Sequence, residues 1–266
     1  MAEYDLPDGP RQLFEAVREP LAAHLGGEQH FRLGSGTALA MRWAHRHSTD
    51  VDLFTDSESY KRLWQQRDAF KRAGTPKVFA VRRWNTKIVL PGGGEVTLFT
   101  SSPQTDDPRS DDTVAGTRVP LETNAEILAK KLWGQMLDSE QLLARDFYDF
   151  AVARRHDPAA VNAAIDHIDV SDLRQLKREL ETLPDKWINR SGQRPLTARR
   201  PLGPTTVPVG HPLRFAKHAS AAARAQQSGL PRNPALEIKR ANSRMGTELY
   251  TWVSKVALRC YIRYTV

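Results

Sequence analysis

The chain has 266 residues, 40% of them hydrophobic, a formal net charge of +8 and one cysteine, Cys260. A single cysteine excludes an intramolecular disulfide and any multi-cysteine zinc site, and the apolar content excludes wholesale disorder. No apolar run approaches the ~20 residues that cross a bilayer, and the acidic start "MAEYDLPDG" lacks a basic leader followed by a greasy stretch, so a soluble, cytoplasmic chain with no membrane partner is expected.

The first predicted element is a helix over "RQLFEAVREPLAAHLGG", with Leu13, Phe14, Val17, Leu21 and Leu25 at helical spacing and a stop at Gly26-Gly27. Strands "HFRL" and "VDLFT" follow, separated by "GSGTALAMRWAHRHSTD". "SESYKRLWQQRDAFKRAG" predicts one helix with a Ser cap, a stripe through Leu63, Phe70 and Ala73, and a terminal glycine. "KVFAVRRW", "TKIVL" and "EVTLFT" predict strands, the last two joined across "GGG". Residues 101–116 are rich in Ser, Asp, Pro and Thr and predict a loop.

From Leu121 the apolar period becomes 3.6, and "LETNAEILAKKLWGQML", "SEQLLARDFYDFAVARR", "DPAAVNAAIDHI" and "SDLRQLKRELETL" predict four helices, two with Asp or Ser caps. An α+β architecture follows, with an α/β lobe over 1–116, a helical lobe over 117–186 and a ligand cleft between them. Residues 187–266 differ from both lobes. They hold 14 Lys/Arg against two acids, Glu237 and Glu248, whereas residues 1–186 hold 25 against 29. Their Pro- and Gly-rich composition predicts an irregular basic tail. It reads as poorly ordered chain, as the product of a shifted reading frame, or as an RNA-contacting arm.

The stretch between the first two strands carries the chemistry. On a strand alternate side chains share a face, so Asp50 and Asp52 point one way while Val51 and Leu53 enter the core. Two carboxylates about 4 Å apart repel by roughly 4 kcal/mol at an effective dielectric of about 20. A divalent cation removes that repulsion, and Mg²⁺ is the hard ion that combines a few carboxylates with substrate phosphates. The turn Gly34-Ser35-Gly36-Thr37 opens a helix whose free N–H groups and partial positive charge suit a phosphate. Exposed Asp-X-Asp strand ends and Gly-Ser-Gly loops are common in themselves; their order and spacing here point to a phosphate cradle beside a metal-holding strand. Zinc on His45 and His47 is disfavoured, because no third ligand falls in register.

"LGSGTALAMRWAHRHSTDVDLF" resembles the first motif of the AbiEii/AbiGii-type nucleotidyltransferase toxins, within the polymerase-β-like nucleotidyltransferase superfamily. Ser35 stands for a family glycine, while Gly36, Thr37, Ala38, Leu39, His45, Arg46, Ser48, Asp50 and Asp52 match. "AEILAKKLWGQM" and "ARDFYDFAVARR" resemble its later motifs. The resemblance covers roughly residues 10–185 and implies a mixed-sheet nucleotidyltransferase lobe followed by a helical lobe. It also implies transfer of a nucleoside monophosphate from an NTP to an acceptor, tRNA ends for some members, with Mg²⁺, in a toxin–antitoxin or phage-defence system with a cognate antitoxin. Arg46 and Ser48 join the expected nucleotide site on this ground.

Helical spacing puts Leu128, Leu132 and Met136 on a buried stripe with Lys131 at its edge and Lys130 projecting elsewhere. Phe147 and Phe150 follow in the next helix, with Asp146 beside them and Asp149 one turn on. Lys131 and Asp146 are expected to meet, either as a packing salt bridge or as a catalytic pair in which Lys131 neutralises the triphosphate and Asp146 orients it. Trp43 and Trp133 read as core packing rather than base-stacking residues. The superfamily usually draws a third carboxylate from a later strand. The corresponding "GEVTLFTSS" offers only Glu95, so Glu95 completes the metal set with Asp50 and Asp52, or Asp146 substitutes, or catalysis is impaired. The rivals to an active enzyme are an NTP-binding module without turnover and a nucleic-acid-binding protein acting through its tail.

Overall fold

The protein is described from a computed structural model, in which residues 3–74, 76–114, 116–139, 142–184 and 187 are described; the expected tail over 187–266 lies outside the described residues, Trp187 apart. The fold is α+β. A mixed eight-stranded sheet has the order β1-β7-β8-β2-β3-β6-β5-β4. Its strands are β1 (Glu3–Tyr4), β2 (Phe31–Leu33), β3 (Val51–Thr55), β4 (Val78–Val81), β5 (Asn85–Val89), β6 (Glu95–Thr100), β7 (Arg109–Val114) and β8 (Thr117–Glu122). At its centre β3 runs antiparallel to β2 and parallel to β6, with Asp52 opposite Thr97 and Phe54 opposite Phe99.

Alternation along the central strands divides the sheet into two faces. Val51, Leu53, Val96 and Leu98 are fully buried and pack with Leu13, Phe14, Val17 and Leu21 of α1 (Asp8–Leu25) and with Tyr60, Leu63 and Phe70. Asp52, Phe54, Thr97 and Phe99 point to the other face and remain half-buried. α1 ends where Gly26 adopts φ +97°, the left-handed conformation that glycine tolerates. The expected single helix over 57–74 is two, α3 (Ser57–Gln65) and α4 (Arg67–Gly74). Its cap is Asp56, which accepts from the Ser59 N–H at 2.8 Å, rather than a serine.

The second core belongs to the helical lobe, α5 (Asn124–Lys130), α6 (Ala144–His156), α7 (Pro158–Asp166) and α8 (Val170–Thr182). Ala38 and Leu39 of α2 (Ser35–Trp43) insert into it, while Met41 of the same helix joins the sheet core, so α2 ties the lobes together. The sheet extends to Glu122: residues 117–122, read as the start of the helical half, form β8 beside β2 and β7, and α5 begins only at Asn124. Thr123 caps α5 by accepting from the Glu126 N–H, and the Glu126 carboxylate takes the backbone N–H groups of Gln104 and Thr105, pinning the preceding loop. After α5 the helix continues as a π segment over Lys131–Asp138. Among the described residues no helix is long and apolar enough to cross a membrane.

Candidate active site

Asp50 and Asp52 stand at the entry of β3, where the chain returns from α2. The first turn of that helix is laced onto the strand. The Gly34 N–H donates to the Asp52 carbonyl at 3.1 Å, and the Thr37 hydroxyl donates to the Asp50 carbonyl at 2.6 Å. The Thr37 proton being used there, Ser48 donates to Thr37 Oγ1, also at 2.6 Å. Ser35 holds φ +57°, a conformation that favours glycine, and its hydroxyl bonds the Asp52 carboxylate. Burial pushes the Asp52 carboxyl up; the Ser35 hydrogen bond and the positive charges of Arg145 and Lys131 oppose the shift, and Asp50 adds to it.

Behind this pair lies a network of buried charges centred on Asp149. Arg46 grips it in bidentate fashion, Nε to Oδ1 at 2.7 Å and Nη2 to Oδ2 at 3.0 Å. His45 Nε2 donates to Oδ1 at 2.7 Å, and Lys131 Nζ lies 3.2 Å from Oδ2 while also contacting Asp146. Burial alone would raise the Asp149 carboxyl. The charges of Arg46 and Lys131 and the hydrogen bonds from His45 and Arg46 overcome it and hold the carboxyl well below its usual range. Burial pushes His45 down despite Asp149, so the imidazole is neutral and carries its proton on Nε2. Two glycines make room for these groups. A Cβ on Gly36 would overlap the Arg46 guanidinium, and one on Gly34 would overlap the Glu122 carboxylate.

A cleft of about 680 Å³ opens over the half-buried face of the sheet. Of the residues singled out from sequence, Ser35, Gly36, Thr37, Arg46, Ser48, Asp50, Asp52, Glu95 and Lys131 line it. Gly34 and the fully buried Asp146 lie behind its wall. Glu95 reaches the cleft but is ion-paired with Lys87, and among the described residues no three His, Cys, Asp or Glu side chains gather into a metal-holding group. The position opposite Asp52 on β6 holds Thr97, and Glu95 stands two residues before it at the start of the strand. Asp146 is fully buried and ion-paired with Lys131.

Three features add to or depart from the sequence reading. Lys130, expected only to project elsewhere than Lys131, does so onto the cleft: it lines it, contacts Glu122, lies 3.1 Å from Glu126 and stands over the Phe54 ring. Trp133 is 43% exposed on the cleft wall rather than in the core. Asp149 is the hub of the network. Its spacing of three from Asp146 was visible, but its partners His45 and Arg46 lie about a hundred residues earlier in the chain.

The donor set suits a hard cation. Two carboxylates and the nearby Ser35 and Ser48 hydroxyls supply only oxygen, and burial holds the Asp52 carboxyl up against the positive charges of Arg145 and Lys131. Two such carboxylates fit Mg²⁺ that takes its other ligands from water and phosphate.

No protein-family model matches the chain, and no curated protein matches it. Among solved structures it is similar to an antigenic nucleotidyltransferase-like protein from Paracoccidioides brasiliensis, at 16% identity and a TM-score of 0.35, over 56% of this chain and 75% of that one. So slight a likeness carries no argument about function.

Proposed function

We propose that the chain is a metal-dependent nucleotidyltransferase that moves a nucleoside monophosphate from an NTP to an acceptor hydroxyl. The observation that supports this reading is the opening of Asp50, Asp52, the Ser35–Thr37 turn and Lys131 onto one cleft. The first turn of α2 would receive the β- and γ-phosphates through its backbone N–H groups. Lys131, oriented by Asp146 and Asp149, would balance the charge that grows on departing pyrophosphate. Asp50 and Asp52 would hold Mg²⁺, which when bound polarises the α-phosphate. The acceptor oxygen forms a bond to the α-phosphorus as the bond to the β-bridging oxygen breaks. The acceptor proton leaves to solvent, because Thr97 rather than an acid faces Asp52. A tRNA end as acceptor, a cognate antitoxin, a role in phage defence and a cytoplasmic location rest on the family resemblance.

One observation favours a second reading. Glu95 is ion-paired with Lys87, and among the described residues no group of three His, Cys, Asp or Glu side chains gathers to hold a metal, as expected of an NTP-binding module without turnover. Incubating the protein with each labelled NTP, Mg²⁺ and total tRNA tests both. Transfer that falls at least ~10²-fold in Asp52→Asn supports the enzyme. Mg²⁺-dependent NTP binding without transfer selects the second reading, and absence of both overturns the two together.

A further inference from the structure

The cleft continues past the aspartates onto aromatic ground. Two positions along β3 and β6 from the Asp52–Thr97 pair, Phe54 and Phe99 stand on the same face with ring centroids 5.4 Å apart. The Lys130 ammonium lies 4.1 Å from the Phe54 centroid, and both rings are half-buried. Asn85 lies opposite Phe99 on β5 and also lines the cleft. The hairpin tip before it, Arg82-Arg83-Trp84, is held firmly by backbone bonds. The Arg82 N–H donates to the Asn85 carbonyl at 2.8 Å, and the Thr100 N–H donates to the Trp84 carbonyl at 2.9 Å. On this rigid tip Trp84 is 62% exposed, with the Arg83 guanidinium 4.6 Å from its ring centroid. Thr100 is three residues beyond Thr97, so the tip stands roughly 10 Å along the strand from the level of Asp52.

The two ends of the cleft differ in kind. The Gly34–Thr37 turn lies on the β2 side of β3; Phe99, Asn85 and Arg82 line the β6–β5 side, and Arg83 and Trp84 stand on the hairpin tip just beyond that lining. With the NTP phosphates at the turn, the far side is left to the second substrate. Its surface interleaves rings with arginines and carries no acid from Arg82 to Asn85. Bases of any sequence stack on such rings, while the guanidinium groups meet the phosphates between them.

We propose that Phe99, Asn85 and the Arg82–Trp84 tip form the acceptor track of the site and take a single-stranded nucleic-acid end. Its last base lies against Phe99, the next on the open face of Trp84, and the intervening phosphates at Arg82 and Arg83. This assignment rests on the nucleotidyltransferase reading for its name, but its test does not.

Binding of a fluorescent 12-nucleotide single-stranded RNA to the full chain is measured beside Mg²⁺-dependent binding of each NTP. Trp84→Ala is expected to weaken RNA binding about tenfold or more, and Trp84→Phe to restore most of it. Replacing Arg82 and Arg83 by alanine should shallow the dependence of log affinity on log salt by about 1.4, for two single-strand phosphate contacts. NTP affinity should not move in any of these variants. RNA affinities within twofold of wild type in both Trp84→Ala and the double arginine variant would overturn the track, as would equal affinity for a blunt RNA duplex. Loss of NTP binding by the wild-type chain would instead count against the nucleotidyltransferase reading and leave the RNA result to judge the track alone.

Discussion

Asp149 is fully buried and Asp52 half-buried at the cleft, and their carboxyls move in opposite directions. Around Asp149 the chain supplies its own compensation, with Arg46, Lys131 and His45 converging on both oxygens. Around Asp52 it supplies less. A serine hydroxyl and two more distant positive charges fail to offset burial and a neighbouring aspartate. The first arrangement is completed on folding by side chains of the chain itself. The second remains electrostatically incomplete and is suited to a ligand that brings positive charge.

The comparison breaks most readily at the hub. Asp149→Ala leaves Arg46 and Lys131 buried without their shared carboxylate and should lower the unfolding free energy by about 3–5 kcal/mol, read from urea denaturation. A loss below about 1 kcal/mol would mean that the network relaxes, and Asp149 would no longer be its hub. Gly36→Ala drives a methyl group into the Arg46 guanidinium and should cost about 1–3 kcal/mol in the same assay.

Acidification sharpens the contrast further. Because the folded Asp149 carboxyl is depressed, its stabilisation is present above the ordinary carboxylate range and is lost as pH falls toward the folded value. The folded Asp52 carboxyl is raised, so it favours the fold at low pH and disfavours it once pH passes the folded value. Asp52→Asn should therefore unfold at or above the wild-type midpoint at pH 7, and a lower midpoint there would contradict the assigned sign. The smallest effect is expected of Ser35→Gly. Relief of the left-handed serine should stabilise by no more than about 1 kcal/mol, while loss of the hydroxyl moves the Asp52 carboxyl higher still in an NMR titration.

What the sequence disclosed follows from the range of each interaction. β3 with its paired acids was legible because period-2 alternation is local, and the meeting of Lys131 with Asp146 followed from two adjacent helical stripes. β7 was read as loop because "RSDDTV" has almost no apolar alternation; its pairing with β8 and β1 supplies the order. The end of β8, Leu121 and Glu122, was absorbed into a helix because Leu121 fits either period. Asp149 could not be recognised as a hub, since helical spacing says nothing about a histidine and an arginine about a hundred residues earlier in the chain. Glu95 was the only acid on its strand, but the lysine that neutralises it sits on a neighbouring strand whose register a linear reading does not supply.

The π segment that begins at Lys131 makes this site dependent on chain length as much as on chemistry. Lys130 and Lys131 are consecutive, yet one reaches Glu122 and the other Asp146, and the wound-out turn then delivers Trp133 to the cleft while returning Met136 to the interior. Excising a single residue there would restore an ordinary helix and close the widened turn that carries Trp133 to the cleft. Such a deletion removes no functional group, and it would disable the wall of the cleft more thoroughly than many a point substitution within it.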